Sequence, residues 1–298
     1  MKVENTQAMP GLKPQHIVCL VDLSPASRLV LCWARVIAHA FASRVEILHA
    51  AEPPQFLIEG QEQAQLELTR TELHGAVGSL AQEVLGTRVP HHIVVMEGHP
   101  VQVVMSRLER HTPDLIMMGS HGHDGMARVL LGSVAENVTR VAQCPMLIVK
   151  GAEPGEGGLK RILCPVNLSD SASECAQLAG ILAAVLRAKL ELLMAVEETD
   201  VGRGEAEQRL HAWIPSGLQR MCEISEVVLE GDAAERIVER ARAREADLVV
   251  LGAEHRRFLE FTTLGRTTER VMRYSPCTVL LVPRRGTQGG TSLAKPVS

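Results

Sequence analysis

The chain of 298 residues states most of its segments twice. Glu97-Gly98-His99-Pro100 through Val149 returns as Glu230-Gly231-Asp232-Ala233 through Val282 at a constant offset of 133 positions. Asp114-Leu115-Ile116-Met117-Met118-Gly119 aligns with Asp247-Leu248-Val249-Val250-Leu251-Gly252, Gly132 with Gly265, and Cys144 with Cys277. Upstream, the run from His16 to Ser24 matches Arg161 to Ser169 at an offset of 145, so the first copy carries twelve extra residues, placed between Glu52 and Glu83. Such a period exceeds the ~20–50 residues of stacked solenoid repeats and marks the duplication of a whole domain. Each copy is long enough to bury its own core. The expected organisation is a first domain over 1–150, a Gly/Pro/Glu-rich linker over 151–158, a second domain over 159–283 and a disordered Gly/Thr/Ser-rich tail over 284–298.

Within each copy, continuous apolar runs alternate with segments of helical spacing. Strands are expected at 16–22, 45–50, 91–96, 114–118 and 145–149, and again at 161–167, 190–196, 223–229, 247–251 and 278–282. Helices are expected near 25–42, 61–85, 100–111 and 133–142. Val101, Val104, Met105 and Leu108 keep helical spacing, as do Ala234, Ile237, Val238 and Ala241 in the second copy. Ser24 before Pro25 reads as an N-cap followed by proline at the first helical position. Apolar strands separated by helices predict α/β architecture: two tandem doubly wound domains, each a five-stranded parallel sheet with helices on both faces. Ligands of such sheets bind beyond the carboxyl ends of the strands, where the strand order reverses. Here that is where Asp22 and Gly119 should converge. The final strands, Met146–Val149 and Thr278–Val282, are both apolar, and exposed apolar edge strands are a hazard unless covered.

Composition removes several classes of function. Aromatic residues are 2% of the chain and net charge is −4, which argues against nucleic-acid partners. No apolar stretch reaches the ~18 residues of a transmembrane helix, and residues 1–9 lack a signal-peptide pattern, so a cytoplasmic location is expected. Seven cysteines without a Cys-x-x-Cys pair read mostly as small buried hydrophobes. His91, His92, His99, His121 and His123 invite a metal reading, but no cysteine or carboxylate stands at ligand spacing beside them, and no metal or catalytic residue is assigned. The chain has neither a Walker A motif nor a nucleophile elbow.

The stretch that carries chemistry is Gly119-Ser120-His121-Gly122, nine residues, then Gly132-Ser133. Glycines after a strand let backbone N–H groups approach a ligand, and the helix start at Ser133 adds unpaired donors with partial positive charge. Those are the requirements of a phosphate cradle. A plain turn would use the same two glycines. Asp22 likewise has two readings, a base-binding carboxylate or the anchor of a turn, and the two are compatible.

With the strand ending in Asp22, the Gly98-His99-Pro100 turn, Asp114 to Gly119, the Gly-x-x-Gly-x9-Gly-Ser loop and the Cys144-Pro145-Met146-Leu147-Ile148-Val149 ending in order, the chain resembles the universal stress protein family in tandem form. The resemblance covers nearly all of 14–150 and 159–283, and it implies that Met146–Val149 and Thr278–Val282 meet as a pseudo-dimer within the chain. It implies ATP or a related adenine nucleotide at the carboxyl edge of the sheet, with Mg2+ held mainly by phosphates and water. Carried over, Asp22 would contact adenine and Ala50 would line the base pocket. Met118, Gly119 and Gly122 would border ribose and phosphates, and Gly132, Ser133 and Val134 would hold the phosphates.

The second copy departs at those positions. Asn167 replaces Asp22, His255 replaces Gly122 and Arg266 replaces Ser133. A side chain at the second glycine enters the space of the phosphates and disfavours positive φ. The resulting expectation is an ATP-binding stress-response protein that senses or regulates through its first domain. It would act with a regulatory protein partner, and two chains could associate as a homo-oligomer. The rival readings are a slow ATPase or phosphotransfer enzyme in the same pocket and a nucleotide-free scaffold. A non-nucleotide apolar ligand is open for the second copy.

Overall fold

A computed structural model describes residues 13–52, 62–120, 131–155, 158–197, 202–253, 255–258 and 261–283. The first half runs β1 (His16–Val21), α1 (Pro25–Phe41), β2 (Arg44–Ala51), α2 (Glu62–Val84), β3 (His91–Glu97), α3 (Pro100–Arg110), β4 (Leu115–Gly119), α4 (Ser133–Val141) and β5 (Met146–Val149). The second runs β6 (Arg161–Pro165), α5 (Asp170–Leu186), β7 (Lys189–Val196), α6 (Arg203–Trp213), α7 (Ser216–Gln219), β8 (Ile224–Glu230), α8 (Ala233–Ala243) and β9 (Leu248–Ala253). It ends with β10 (His255–Phe258), β11 (Phe261–Leu264), α9 (Arg266–Tyr274) and β12 (Thr278–Pro283).

Ten strands form one sheet in the order β3-β2-β1-β4-β5-β12-β9-β6-β7-β8. Each half is parallel and doubly wound, with its switch point between β1 and β4 or between β6 and β9. The seam is antiparallel: Val279 faces Ile148, Leu280 faces Leu147 and Leu281 faces Met146. The two expected five-stranded sheets are therefore halves of one sheet, because each apolar last strand covers the unpaired edge of the other. Successive strand residues point to opposite faces, so Ile17, Cys19 and Val21 enter one core while Val18 enters the other. Helices α1, α2, α5, α6 and α7 cover the first face, and α3, α4, α8 and α9 the second.

Backbone details repeat with the sequence. Leu23 and Leu168, just past the first strand of each half, have φ of 63° and 60°. Ala42 and Arg187 close α1 and α5 in the left-handed region, at 55° and 56°. Gly98 and Gly231, which precede α3 and α8, have φ of 132° and 120°, where a Cβ is strained. Asp114 accepts the N–H groups of Gln15 and His16 at 2.8 and 2.9 Å, and Asp247 does the same for Lys160 and Arg161 at 2.6 and 2.8 Å. Each aspartate thus braces the start of its neighbouring strand. Glu46, 1% exposed on β2, takes Arg107 of α3 in two bonds of 2.6 and 2.5 Å, and Glu191 takes Arg240 at 2.7 and 2.8 Å.

Two features differ from the sequence expectation. The chain after β9 forms the antiparallel hairpin β10–β11, where no strands were expected, with His255 opposite Leu264 and Phe258 opposite Phe261. Ser24 stands at the N-cap of α1 without a side-chain cap bond; its hydroxyl donates to Asp22 instead. The disordered tail expected over 284–298 lies outside the described residues.

Candidate functional site

Strand register brings the expected residues to one edge. Leu20 pairs with Leu48 on one side and Met118 on the other, so Asp22, two residues on, lies between Ala50 and the Gly119–Ser120 step. Met118 is buried in the core, leaving its backbone to face the edge. Ser120 ties this edge together: its N–H donates to Val149 at 3.2 Å and its carbonyl accepts the N–H of Gly132 at 2.8 Å. That second bond sets Gly132, the N-cap of α4, against the end of β4. Ser133 and Val134 open α4, whose first turn presents N–H groups without intrahelical partners. Gly122, His121 and His123 lie outside the described residues.

Asp22 is the centre of a small polar network. Its Oδ1 accepts the backbone N–H of Ser24 at 3.0 Å, the Ser24 hydroxyl at 2.5 Å and the Ser27 hydroxyl at 2.8 Å. Its own N–H donates to the Ser27 hydroxyl at 2.9 Å. The turn-anchoring role is therefore realised, and it fixes the carboxylate at the switch point. Beside it, the buried His49 ring places Nδ1 2.9 Å from the carbonyl of Val21. Ser27 and His49 escaped sequence reasoning. Their only signal was comparison between copies, since Ala172 and Met194 stand in their places.

The second edge is plainer. Asn167 Oδ1 accepts the N–H and hydroxyl of Ser169 at 3.2 and 2.6 Å, and the Ser169 hydroxyl caps α5 by accepting the N–H of Ala172 at 3.3 Å. A crevice of about 500 Å3 opens there, lined among others by Asn167, Gly252, Gly265, Arg266 and Thr267.

Titratable groups elsewhere have structural explanations. Burial works to raise the Glu46 pKa, but the hydrogen bonds and charge of Arg107, with His92 and His16 nearby, hold it below the usual carboxylate range. His92 Nε2 lies 3.1 Å from Glu46, and His91 Nδ1 lies 2.8 Å from the Val89 carbonyl. Among the described residues, no three metal-ligating side chains gather around one point. Six of the seven cysteines are buried. Burial pushes the thiols of Cys144 and Cys277 up to about 11 and that of Cys175 up to about 12, which makes them poor nucleophiles. Lys150 crosses the seam, donating from Nζ to the carbonyls of Met272 and Arg273 at the end of α9, and burial lowers its pKa to about 8. Among the described residues, no helix is long and apolar enough to cross a membrane.

Comparison with known proteins follows the same outline. A universal stress protein of Methanocaldococcus jannaschii is 33% identical over 139 residues, which cover 46% of this chain and 82% of that protein. A universal stress protein A homolog of Coxiella burnetii is 29% identical over 142 residues, 45% of this chain and 95% of that protein. The crystal structure of a universal stress protein from Archaeoglobus fulgidus superposes with a TM-score of 0.75 at 20% identity, covering 92% of this chain and all of that one. The model of the Universal stress protein family matches twice, over residues 14–150 and 158–283. With a match to each half of one ten-stranded sheet, this chain belongs to the universal stress protein family as a tandem, two-domain member.

Proposed function

We propose that the first half binds ATP, accompanied by Mg2+, and that the protein serves in a stress response as a nucleotide-dependent sensor or regulator. The observation that carries this reading is the asymmetry of the two switch points. The first has an anchored carboxylate, Asp22, held by Ser24 and Ser27 with His49 alongside, at the strand edge where Ser120 ties down the N-cap of α4. The second has lost the carboxylate, the second serine and the histidine. A fixed carboxylate can accept a bond from the adenine amino group, and a helix start favours an anion. In this reading Ala50, Met118 and Gly119 line the base and ribose, and Gly122, Gly132, Ser133 and Val134 hold phosphate. Residues 1–150 form the working unit, 151–158 join it to 159–283, and the second unit is a degenerate copy as far as ATP is concerned. Occupancy biases the surface that a cytoplasmic protein partner reads, because a ligand shifts an equilibrium by its differential affinity for two states.

The test is chromatography and mass spectrometry of small molecules released from the purified, denatured protein. One adenine nucleotide per chain, lost in Gly122→Val and kept when His255 is changed to Val, is the expected result. Two per chain would overturn the division of labour. None, with no thermal stabilisation by ATP and Mg2+, would overturn nucleotide binding and leave a scaffold.

A further inference from the structure

The second-half crevice is walled by the carboxyl ends of β6, β7, β9 and β12 and by α5, α8 and α9. Its volume, about 500 Å3, lies within the ~300–1,000 Å3 of small-molecule sites. The inner wall is aliphatic, made of Val166, Leu193, Ala195, Ile237 and Leu251. Three polar groups on the lining hold donors that no other described residue takes up. They are the amide nitrogen of Asn167, whose oxygen is already committed to Ser169, the Thr267 hydroxyl and the Arg266 guanidinium.

This donor set does not suit a polyphosphate. An open glycine loop offers several backbone N–H groups to successive phosphates. Here residues 255–258 pair with 261–264, and the ladder turns alternate N–H groups toward the opposite strand. What remains is a guanidinium at the first position of α9 with a hydroxyl beside it, which matches one carboxylate or one phosphate. Glu174, on the α5 rim, repels an anion from that side and so sets the head at α9. The neutral Asn167 imposes no such repulsion where Asp22 would.

We propose that this crevice is a binding site for a small organic molecule with a single anionic head, a carboxylate or phosphate monoester, and an apolar body. The head rests on Arg266 and Thr267, and the body lies on the aliphatic wall beside Asn167. The site stands apart from the first-half pocket and does not depend on what that pocket binds.

Titration calorimetry of the full chain tests it in two arms, decanoate for a carboxylate and decyl phosphate for a phosphate monoester, each with and without saturating ATP. The expected result is one saturable site per chain in at least one arm, with an affinity that ATP changes less than twofold. Arg266→Ala should weaken it at least tenfold and Arg266→Lys less. Arg266 is exposed, so a circular dichroism spectrum and thermal midpoint matching the parent are expected of both variants. Leu193→Phe, which fills the wall, should weaken the same arm. Absence of saturable binding in both arms, displacement of the probe by ATP one for one, or binding that Arg266→Ala leaves intact would overturn the proposal. If ATP itself fails to bind, the Arg266 and Leu193 variants still decide it, while the first-half reading fails separately.

Discussion

Replacing Asp22 by alanine removes the acceptor of three hydrogen bonds, at 3.0, 2.5 and 2.8 Å, from Ser24 and Ser27. Both serines are buried, so their donors gain little water in exchange. A hydrogen bond to a charged group contributes about 1.5–3 kcal/mol. Asp22 itself is only half-buried and the hydroxyls can turn, so the low end of that range applies to each bond and the expected total is about 4–5 kcal/mol. The strained backbone at Leu23 pulls in the same direction, since the bonds that flank it help hold φ at 63°. At the matching position, Asn167→Ala removes two bonds from an exposed neutral amide, a loss of about 1 kcal/mol. Asp22→Asn keeps an acceptor oxygen and should fall between the two. Urea unfolding followed by circular dichroism, with midpoint and slope compared across the four proteins, measures this order. If Asp22→Ala costs no more than Asn167→Ala, the carboxylate does not organise the switch point and the asymmetry argued above loses its physical basis.

Further outcomes follow from groups away from that edge. Lys150 has a folded pKa of about 8, below the unfolded value, so the unfolded chain holds the extra proton in between and this residue makes stability rise from pH 8 to 10. Buried thiols act oppositely above their unfolded pKa; Lys150→Met should therefore remove only the rising component in thermal midpoints measured against pH, and an unchanged profile would refute the assignment. Glu46 is held below its ordinary pKa, so its contribution is present above the unfolded value and lost as pH falls through the folded one. Glu46→Gln should cost about 2 kcal/mol at pH 7, less than a fully buried broken pair because Arg107 can reach solvent, and should flatten acid unfolding; parallel acid curves would contradict this. In α5, a Cβ at Gly180 would stand 2.1 Å from a Leu218 methyl, so Gly180→Ala should destabilise by about 1–2 kcal/mol, while Gly75→Ala, with open space around it, should stabilise by about 0.5–1 kcal/mol. Equal shifts in urea midpoint would show that packing around α7 does not limit that position.

The parallel halves were legible because buried strands are apolar throughout and the helices between them keep a strict period. Expected strands such as 16–22 and 91–96 end within a residue of β1 and β3. The doubling itself located the switch points, while the pairing of the last strands came from the family resemblance, with their apolar sequences as indirect support. The β10–β11 hairpin was not legible: His255-Arg256-Arg257-Phe258 has no alternating pattern, and the sequence from 254 to 264 contains no Asn-Gly or Asp-Gly pair. Nor did spacing reveal Ser27 and His49, because a serine in the first turn of a helix and a histidine in an apolar strand each have commoner uses. Their value lies in what they touch, which only strand register determines. Gly122 stays an expectation from the loop motif, since it falls outside the described residues.

The antiparallel seam between β5 and β12 changes what evolution can do with this sheet. When two identical chains meet across a two-fold axis, any substitution at the contact occurs twice and must suit itself. Joined in one chain, the two sides are written separately: Lys150 grips the end of α9 from one side, and the matching residue on the other is Pro283. The partner is also always present at the high effective concentration of a tether, so assembly no longer depends on how much protein the cell makes. Freed from both symmetry and dilution, one half could keep its original task while the other drifted toward a new one.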